Sequence, residues 1–311
     1  PPYLLPFSIL LFIVTTLYYL GKGYSWYKPA RWLYAGLFSI QTSDIARFSV
    51  ILYMAYYADK KREKLKDFQF GLLPALGILC MIMALIIIQP DYSTALMIGA
   101  IGILILFIGG ASLSQLSAAG ACAMLVGIPI LLSREYRKQR FLSWLGIGDN
   151  TEIGYQANQS LISLGNGGVF GVGLGNSIEK NHFLPTPHTD FIFAIIVEEY
   201  GLIGGLSLLL AYALFLLRVI IISNKADSVF GSLLVIGLGI PIVFQALINI
   251  GVSVELFPIT GQPLPLISSG GTSIWMTCIA IGIIQSVKNG SNQKIINSDE
   301  DNPLEILKET I

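Results

Sequence analysis

Long apolar runs are the feature that most constrains what this chain can fold into. A helix needs about 20 apolar residues to cross a bilayer, and backbone polar groups in hydrocarbon must be hydrogen-bonded within the segment. The sequence therefore predicts an all-α, polytopic helical membrane protein with eight spans. These spans are 3–20, a short one at 45–58, 70–89, 94–111, 116–133, a long one at 190–223, 229–252 and 271–287.

The composition agrees with a membrane protein. Of the 311 residues, 54% are hydrophobic and 12% are charged, whereas soluble domains are about 25% charged. The net charge is zero, which gives no indication of a nucleic-acid partner. Cys80, Cys122 and Cys278 lie in apolar runs without neighbouring histidines, so we expect buried small side chains and no metal site.

A basic loop orients the predicted spans. Residues 59–66 carry five Lys and Arg side chains, which is typical of a cytoplasmic loop. Counting spans from it places 134–189 and 253–270 outside, and the polar tail inside. We therefore predict a transmembrane domain over 1–287, with a large external loop at 134–189, and a flexible cytoplasmic tail over 288–311.

Three carboxylates are candidates for chemistry in the long apolar run. Asp190 opens this run after a Pro-rich stretch, where a carboxylate can cap the helix or act as a general base at the membrane surface. Both interpretations stay open on local grounds. Glu198 and Glu199 lie about two turns deeper. Because intramembrane carboxylates are costly and usually paired or functional, we expect them to form an ion pair with a basic residue.

Two further acids lie at helix starts. Asp44 and Arg47 are three residues apart and can form a structural ion pair on one helix face. The alternative is that they hold a substrate cavity open. Asp91 follows Pro90 and can cap the next helix.

Glycine and proline predict irregular backbone at three places. The run 190–223 would be roughly 50 Å long as one helix, which exceeds a ~30 Å hydrocarbon core, so it tilts and protrudes or breaks near Gly201. Residues 165–175 contain six glycines, and we expect a flexible or re-entrant outer segment. Residues 257–271 are too rich in Pro and Gly for a spanning helix. We expect this segment to be re-entrant and to line a cavity near the outer face.

Five colinear motifs resemble the FtsW/RodA/SpoVE (SEDS) family. The stretch from His188 to Gly205 reads HTDFIFAIIVEEYGLIGG and is similar to the family's HTDFIFA block, which ends in EE and Gly. Asn249 to Ser273 resembles the LP-x-TG-x-x-LP-x-ISYGG block, and Gly154 to Ser177 resembles the GYQ and GLG-S block. QPDYSTA and RWLYAGLFSIQTSDIAR, at 89–95 and 31–47, resemble two more.

The resemblance implies a function and a catalytic residue. Family members have ten transmembrane helices, of which about eight are visible here. They are peptidoglycan glycosyltransferases that polymerise lipid II on the outer face of the bacterial cytoplasmic (inner) membrane. GLGNS and PLISSGGTS favour the division-type FtsW branch over the RodA branch. The family's essential aspartate falls on Asp190, and its intramembrane ion pair falls on Asp44 and Arg47.

The resemblance also implies partners and a set of substrate contacts. The partners are a class B penicillin-binding protein, other divisome proteins, membrane lipid and lipid II. No cofactor is predicted, although a divalent cation bridging the substrate pyrophosphate stays open. A lipid II flippase and a non-enzymatic division scaffold are the alternatives. The predicted substrate-binding residues are Arg31, Arg137, Arg140, Gln156, Gln159, Lys180, His188, Thr189, Ser268 and Gly270.

The sequence departs from the family pattern in two motifs. QPSE becomes QTSD, and the lysine that follows it becomes Arg47. Both charges are kept, but the acidic arm is shorter. The SYGG motif becomes SSGG at 268–271, which removes an aromatic ring.

Overall fold

The computed structural model describes residues 3–21, 32–35, 38–89, 91–133, 135–147, 152–182 and 189–301. Within these ranges the chain is mostly helical, which confirms the predicted all-α fold. The stretches 168–178 and 254–270 are not helical, and an antiparallel hairpin pairs β1 (Trp32–Ala35) with β2 (Phe38–Gln41), in which Trp32 is opposite Gln41. This hairpin lies between the spans predicted at 3–20 and 45–58.

Eleven α-helices follow one another in the described residues. A 3₁₀ turn (Arg62–Lys64) and a π turn (Phe68–Leu72) connect the second helix to the third. The helices are α1 (Leu4–Gly21), α2 (Thr42–Lys60), α3 (Leu73–Ile88), α4 (Tyr92–Ile108), α5 (Leu113–Leu132), α6 (Glu135–Trp144), α7 (Glu152–Gly167), α8 (Glu179–His182), α9 (Ile192–Asn224), α10 (Val229–Ser253) and α11 (Gly271–Asp301).

The helices agree with the predicted spans. Among the described residues, four helices are long and apolar enough to cross a membrane: Phe68–Ile88, Leu113–Ile130, Ile192–Asn224 and Val229–Ser253. Leu4–Tyr19 and Tyr92–Ile108 are shorter apolar helices. The remaining predicted spans correspond to α2 and α11. Since α11 continues to Asp301, the predicted tail is helical at its start, and 302–311 lie outside the described residues.

The central helix of the bundle is also one of the most polar. α2 packs against α1, α4 and α10, and its inward side chains include Val50 and Met54, which are fully buried. α2 also carries Asp44 and Arg47. Because it is surrounded by other helices, α2 can carry these charged residues without exposing them to lipid. α2 also contributes residues to the site described below.

The prediction that the three cysteines are buried is wrong. Cys80, Cys122 and Cys278 are all exposed at the bundle surface, on α3, α5 and α11. Burial inside protein is the usual fate of a small apolar side chain in water. In a bilayer, however, the lipid tails are as apolar as the protein core, so the outer face of a helix accepts cysteine equally well.

α9 breaks at Gly201, which is one of the two alternatives predicted for this long apolar run. Gly201 has φ 73° and ψ −172°, a backbone conformation that is essentially restricted to glycine. The glycine-rich segment after α7 fills the gap. Val172 N–H donates to the Glu198 carbonyl at 2.9 Å, and Leu202 N–H donates to the Gly168 carbonyl at 2.9 Å. The segment thus replaces helical hydrogen bonds that the break removes.

Candidate functional site

Asp190 lies in the turn that leads into α9, and hydrogen bonds to backbone carbonyl groups hold this turn in place. The Asn249 Nδ2 donates to the Asp190 carbonyl at 2.9 Å, and the Ser268 hydroxyl donates to the Thr189 carbonyl at 2.6 Å. The N-cap residue of α9 is Phe191, without a side-chain cap hydrogen bond. Helix capping by Asp190 and a role as a general base both stay predictions.

The Pro/Gly-rich segment passes directly in front of the Asp190 carboxylate. A Cβ atom built on Gly261 would lie 3.8 Å from Asp190 Oδ2. Gly261 has φ +70°, which disfavours residues other than glycine. The Asn249 Nδ2 also donates to the Gln262 carbonyl at 2.8 Å, so one amide holds both the catalytic candidate and the segment opposite it. The segment is irregular backbone, as predicted, with buried and exposed residues mixed along it. Its re-entrant course and the cavity that it was expected to line stay predictions.

Burial governs the electrostatics of Asp190. Desolvation raises the pKa of its carboxyl group, and the positive charge of Arg140 and a hydrogen bond from the Thr189 side chain oppose this without cancelling it. Arg140, on α6, donates from Nη1 to the Ile259 carbonyl at 3.1 Å. A carboxylate with a raised pKa is a stronger base, and a guanidinium beside it can bind an anion.

The second arginine of α6 lies against α4. The Arg137 guanidinium carbon is 3.6 Å from the centre of the Tyr92 ring, which is a cation–π contact. Ser93, the next residue, donates from Oγ to the Thr260 carbonyl at 3.1 Å. Arg137 and Arg140 are three residues apart and share a face of α6. Both therefore lie beside the stretch of the Pro/Gly-rich segment that faces Asp190.

The other predicted substrate contacts are more scattered. Lys180 pairs with Glu199 at 3.5 Å, and Glu199 lies roughly 13 Å along α9 from Asp190 by helical rise. Gln156 and Gln159 are partly exposed on α7. The Ser268 hydroxyl, which is buried, also accepts from the Leu264 N–H. Gly270 immediately precedes α11, whereas Arg31 and His188 lie outside the described residues. Substrate contact by these residues stays a prediction.

The expected ion pair forms at Glu199 but not at Glu198. Among the described residues, the Glu198 carboxylate contacts no cation. It accepts from the Ser163 hydroxyl at 2.8 Å, the Ser177 hydroxyl at 2.6 Å and the Ile178 N–H at 3.2 Å. The physical reason is the packing of α7 and of the segment after it against α9, which brings neutral donors from both to this carboxylate.

Truncating Glu198 should therefore destabilise the protein. In Glu198→Ala, the buried hydroxyls of Ser163 and Ser177 and the less buried N–H of Ile178 lose this acceptor, and each unpaired buried group costs about 1–3 kcal/mol. We expect the free energy of unfolding to fall by about 3 kcal/mol, measured by thermal unfolding in detergent. Glu199→Ala is the matched control and should cost less than about 1 kcal/mol, since its partner Lys180 is partly exposed. Equal losses in the two variants would contradict this account.

The predicted ion pair of α2 is confirmed. The Arg47 Nη2 lies 3.4 Å from Asp44 Oδ1, and the pair lines a cavity of about 30 Å³ together with Gln245 and Thr277. A cavity of this volume has room for about one water molecule. Asp44 Oδ2 is buried and has no hydrogen-bond partner among the described residues. One water molecule in the cavity would supply that partner.

Asp91 caps α4, as predicted, and also joins two motifs. Its Oδ1 accepts from the Thr94 N–H at 3.4 Å. Its Oδ2 accepts from the Ser43 hydroxyl at 3.2 Å and from the Gln41 Nε2 at 3.4 Å. The QTSD and QPD motifs, which are about 45 residues apart in the sequence, therefore meet at the start of α2. Gln262 then connects this region to the Pro/Gly-rich segment by donating to the Thr94 hydroxyl at 3.2 Å.

Two residues of the site were missed in the sequence. Asn249 and Gln245 are buried on α10, and their amides bind the backbone of the Pro/Gly-rich segment. A signal existed, because both are polar residues inside an otherwise apolar run. Their spacing of four places them on one helix face. In the part of the chain that the structure describes, no group of three or more His, Cys, Asp or Glu side chains is arranged to hold a metal ion.

The comparisons with known proteins agree with one another. The profile of the FtsW/RodA/SpoVE family, described as "Cell cycle protein", matches residues 2–293. A probable peptidoglycan glycosyltransferase FtsW of Marinobacter nauticus is 38% identical over 283 residues, covering 90% of this chain and 70% of the relative. Stage V sporulation protein E of Bacillus subtilis is 36% identical over 284 residues, covering 91% and 78%.

Two solved structures have the same fold. One is described as "Structural coordination of polymerization and crosslinking by a peptidoglycan synthase complex". It has a TM-score of 0.71 and 21% identity, and the match covers 94% of this chain and 84% of that one. The other is the rod shape determining protein RodA of Thermus thermophilus, with a TM-score of 0.61 and 23% identity, covering 92% and 76%.

Proposed function

This chain belongs to the FtsW/RodA/SpoVE family of cell cycle proteins, and we propose that it is a peptidoglycan glycosyltransferase that polymerises lipid II during cell division. Curated relatives that carry this activity in their names support the proposal. The observation that carries it is the half-buried Asp190 carboxylate, held between Arg140 and Gly261 at the start of α9. The basic loop at 59–66 supports placing this site on the outer face of the cytoplasmic membrane.

In the proposed reaction Asp190 is the general base. It takes the proton of the acceptor sugar's 4-hydroxyl group while that oxygen attacks the anomeric carbon of the donor. The bond between this carbon and the undecaprenyl pyrophosphate breaks, the anomeric centre inverts, and the pyrophosphate leaves as an anion. Arg140 and Arg137 are the candidates to neutralise that anion, because charge-assisted contacts to phosphate are strong. No resident cofactor is part of the proposal, and a bridging divalent cation would arrive with the substrate.

The raised pKa of Asp190 sets the direction of the pH dependence. The base must be ionised to act, so activity should fall as the pH drops through its pKa. Burial raises this pKa, and the acid limb of the kcat/KM profile, which reports the free enzyme, should therefore lie above the ordinary aspartate value of about 3.9. Polymerisation rates between pH 4 and pH 8 check this. An acid limb at or below the ordinary value would contradict burial of the carboxylate.

A flippase is the second candidate, since a broken helix and intramembrane charges also occur in transporters. One experiment separates the two. The purified chain is given lipid II in detergent, where there is no second leaflet, and the products are analysed on a gel that resolves glycan strands. A polymerase produces strands of increasing length. A flippase or a division scaffold produces none.

We also propose that the chain acts with a class B penicillin-binding protein, which would cross-link the new strands. The likeness to a chain solved in a peptidoglycan synthase complex supports this. Other divisome proteins, membrane lipid and lipid II are the further proposed contacts. Co-purification with the cognate penicillin-binding protein, and comparison of strand yield with and without it, tests the pairing.

A further inference from the structure

Two amides of α10 bind the backbone directly in front of Asp190. Gln245 Nε2 donates to the Pro263 carbonyl at 2.8 Å, and Asn249 Nδ2 donates to the Gln262 carbonyl at 2.8 Å. Gly261, which faces the Asp190 carboxylate, directly precedes Gln262. The two amides are one helical turn apart and bind consecutive carbonyls. The position of Gly261 therefore depends on both.

The Asp44–Arg47 ion pair sets the orientation of the Gln245 amide. Arg47 Nη1 donates to Gln245 Oε1 at 2.7 Å. Arginine offers only donors and a carbonyl only accepts. The Gln245 oxygen must therefore face Arg47 and its NH₂ group must face Pro263. Arg47 itself is held by Asp44 at 3.4 Å. An unbroken series of contacts thus runs from the α2 ion pair to the segment that covers Asp190.

We propose that Gln245 is a positioning residue for Asp190: it transmits the placement of the Asp44–Arg47 ion pair to the Gly261–Pro263 backbone that packs over the catalytic carboxylate. This inference rests on the proposed glycosyltransferase function. It assigns the ion pair a role in the geometry of the site, at a distance from the substrate.

The test compares two equally buried glutamines. Gln245 and Gln89 are each 3% exposed. The Gln89 side chain bonds to the Phe12 carbonyl, to Thr16 and to Thr42 at the start of α2, none of which belongs to the Pro/Gly-rich segment. The variants are Gln245→Met, Gln245→Glu and the control Gln89→Met. The measurements are kcat, KM and the pH profile of lipid II polymerisation, with unfolding temperature recorded in parallel.

Gln245→Met should lower kcat at least about 10-fold with little change in KM. Its acid limb should move to lower pH, because water reaches Asp190 once the segment is released and burial is the main cause of the raised pKa. Gln89→Met should lower the unfolding temperature and leave the acid limb in place. A purely structural glutamine would reduce the amount of active protein without moving the acid limb.

Gln245→Glu keeps an acceptor for Arg47 and replaces the donor to Pro263 by a charged carboxylate oxygen, so it tests the Pro263 contact if the methionine variant fails to fold. It should also lower kcat about 10-fold. Normal kcat in Gln245→Glu, or an unmoved acid limb in a folded Gln245→Met, overturns the proposal. If the unmodified chain makes no glycan strands, the proposed function fails. If it makes strands and the Gln245 variants match the control, only this inference fails.

Discussion

Replacing Asp190 by asparagine is expected to leave a folded protein that polymerises lipid II at least about 100-fold more slowly. A positioned general base typically contributes about 10²–10⁴-fold to a rate, and asparagine cannot accept the proton of the attacking hydroxyl group. The fold should persist, because Asp190 is held through its carbonyl by Asn249. That contact does not involve the side chain. Removing a desolvated carboxylate also relieves a burial cost.

Strand formation on a gel and thermal unfolding in detergent measure the two parts of this prediction. Asp59→Asn is the matched control, because Asp59 is exposed near the end of α2, in the predicted cytoplasmic region, and should change neither result. Asp190→Glu should also be slow, since the longer side chain would press on Gly261. An Asp190→Asn variant with near-normal glycan synthesis would exclude Asp190 from the chemistry.

Replacing Gly201 by alanine should have the largest effect on stability. A Cβ atom at this position would collide with the Val169 carbonyl oxygen, which belongs to the backbone and cannot rotate away. The φ of 73° with ψ of −172° adds strain of its own. Unusual backbone and overpacking each cost about 1–3 kcal/mol. We expect the free energy of unfolding to drop by about 2–6 kcal/mol, and we expect activity to fall with it.

Gly165→Ala is the matched control for this substitution. Gly165 lies on α7, shortly before the same segment, and a Cβ atom there has no heavy atom within 4 Å. In a helix, alanine is favoured over glycine by about 0.5–1 kcal/mol, so the control should be neutral or slightly stabilising. Unfolding temperatures in one detergent compare the pair. Similar values for the two variants would show that the break in α9 does not depend on glycine.

The sequence predicts the outline of the fold because transmembrane helices obey a simple physical rule. Hydrocarbon forces each apolar run to be helical, so the spans follow from their length. The break at Gly201 could also be predicted as one alternative, because the run of 34 residues is too long for a single helix across the bilayer. The β1–β2 hairpin was not predicted, because its strands are four residues long and lie between apolar runs.

The candidate site could be predicted only in part. Asp190 and the Asp44–Arg47 pair follow from motif and spacing. The neutral partners of Glu198 could not be predicted, because the hydroxyls of Ser163 and Ser177 come from α7 and from the segment after it, which are distant from Glu198 in the sequence. Similarly, the roles of the α10 amides depend on where the Pro/Gly-rich segment crosses them. Contacts of this kind require the three-dimensional arrangement.

The pairing of the glycine-rich segment with the broken helix has an evolutionary consequence. The bonds between 168–173 and 198–203 join main-chain groups, so they constrain how many residues the segment contains more than which side chains it carries. Val169, Phe170 and Val172 point outward, and Phe170 is 81% exposed. Related sequences should therefore exchange these apolar side chains freely, while insertions and deletions within the segment should be rare.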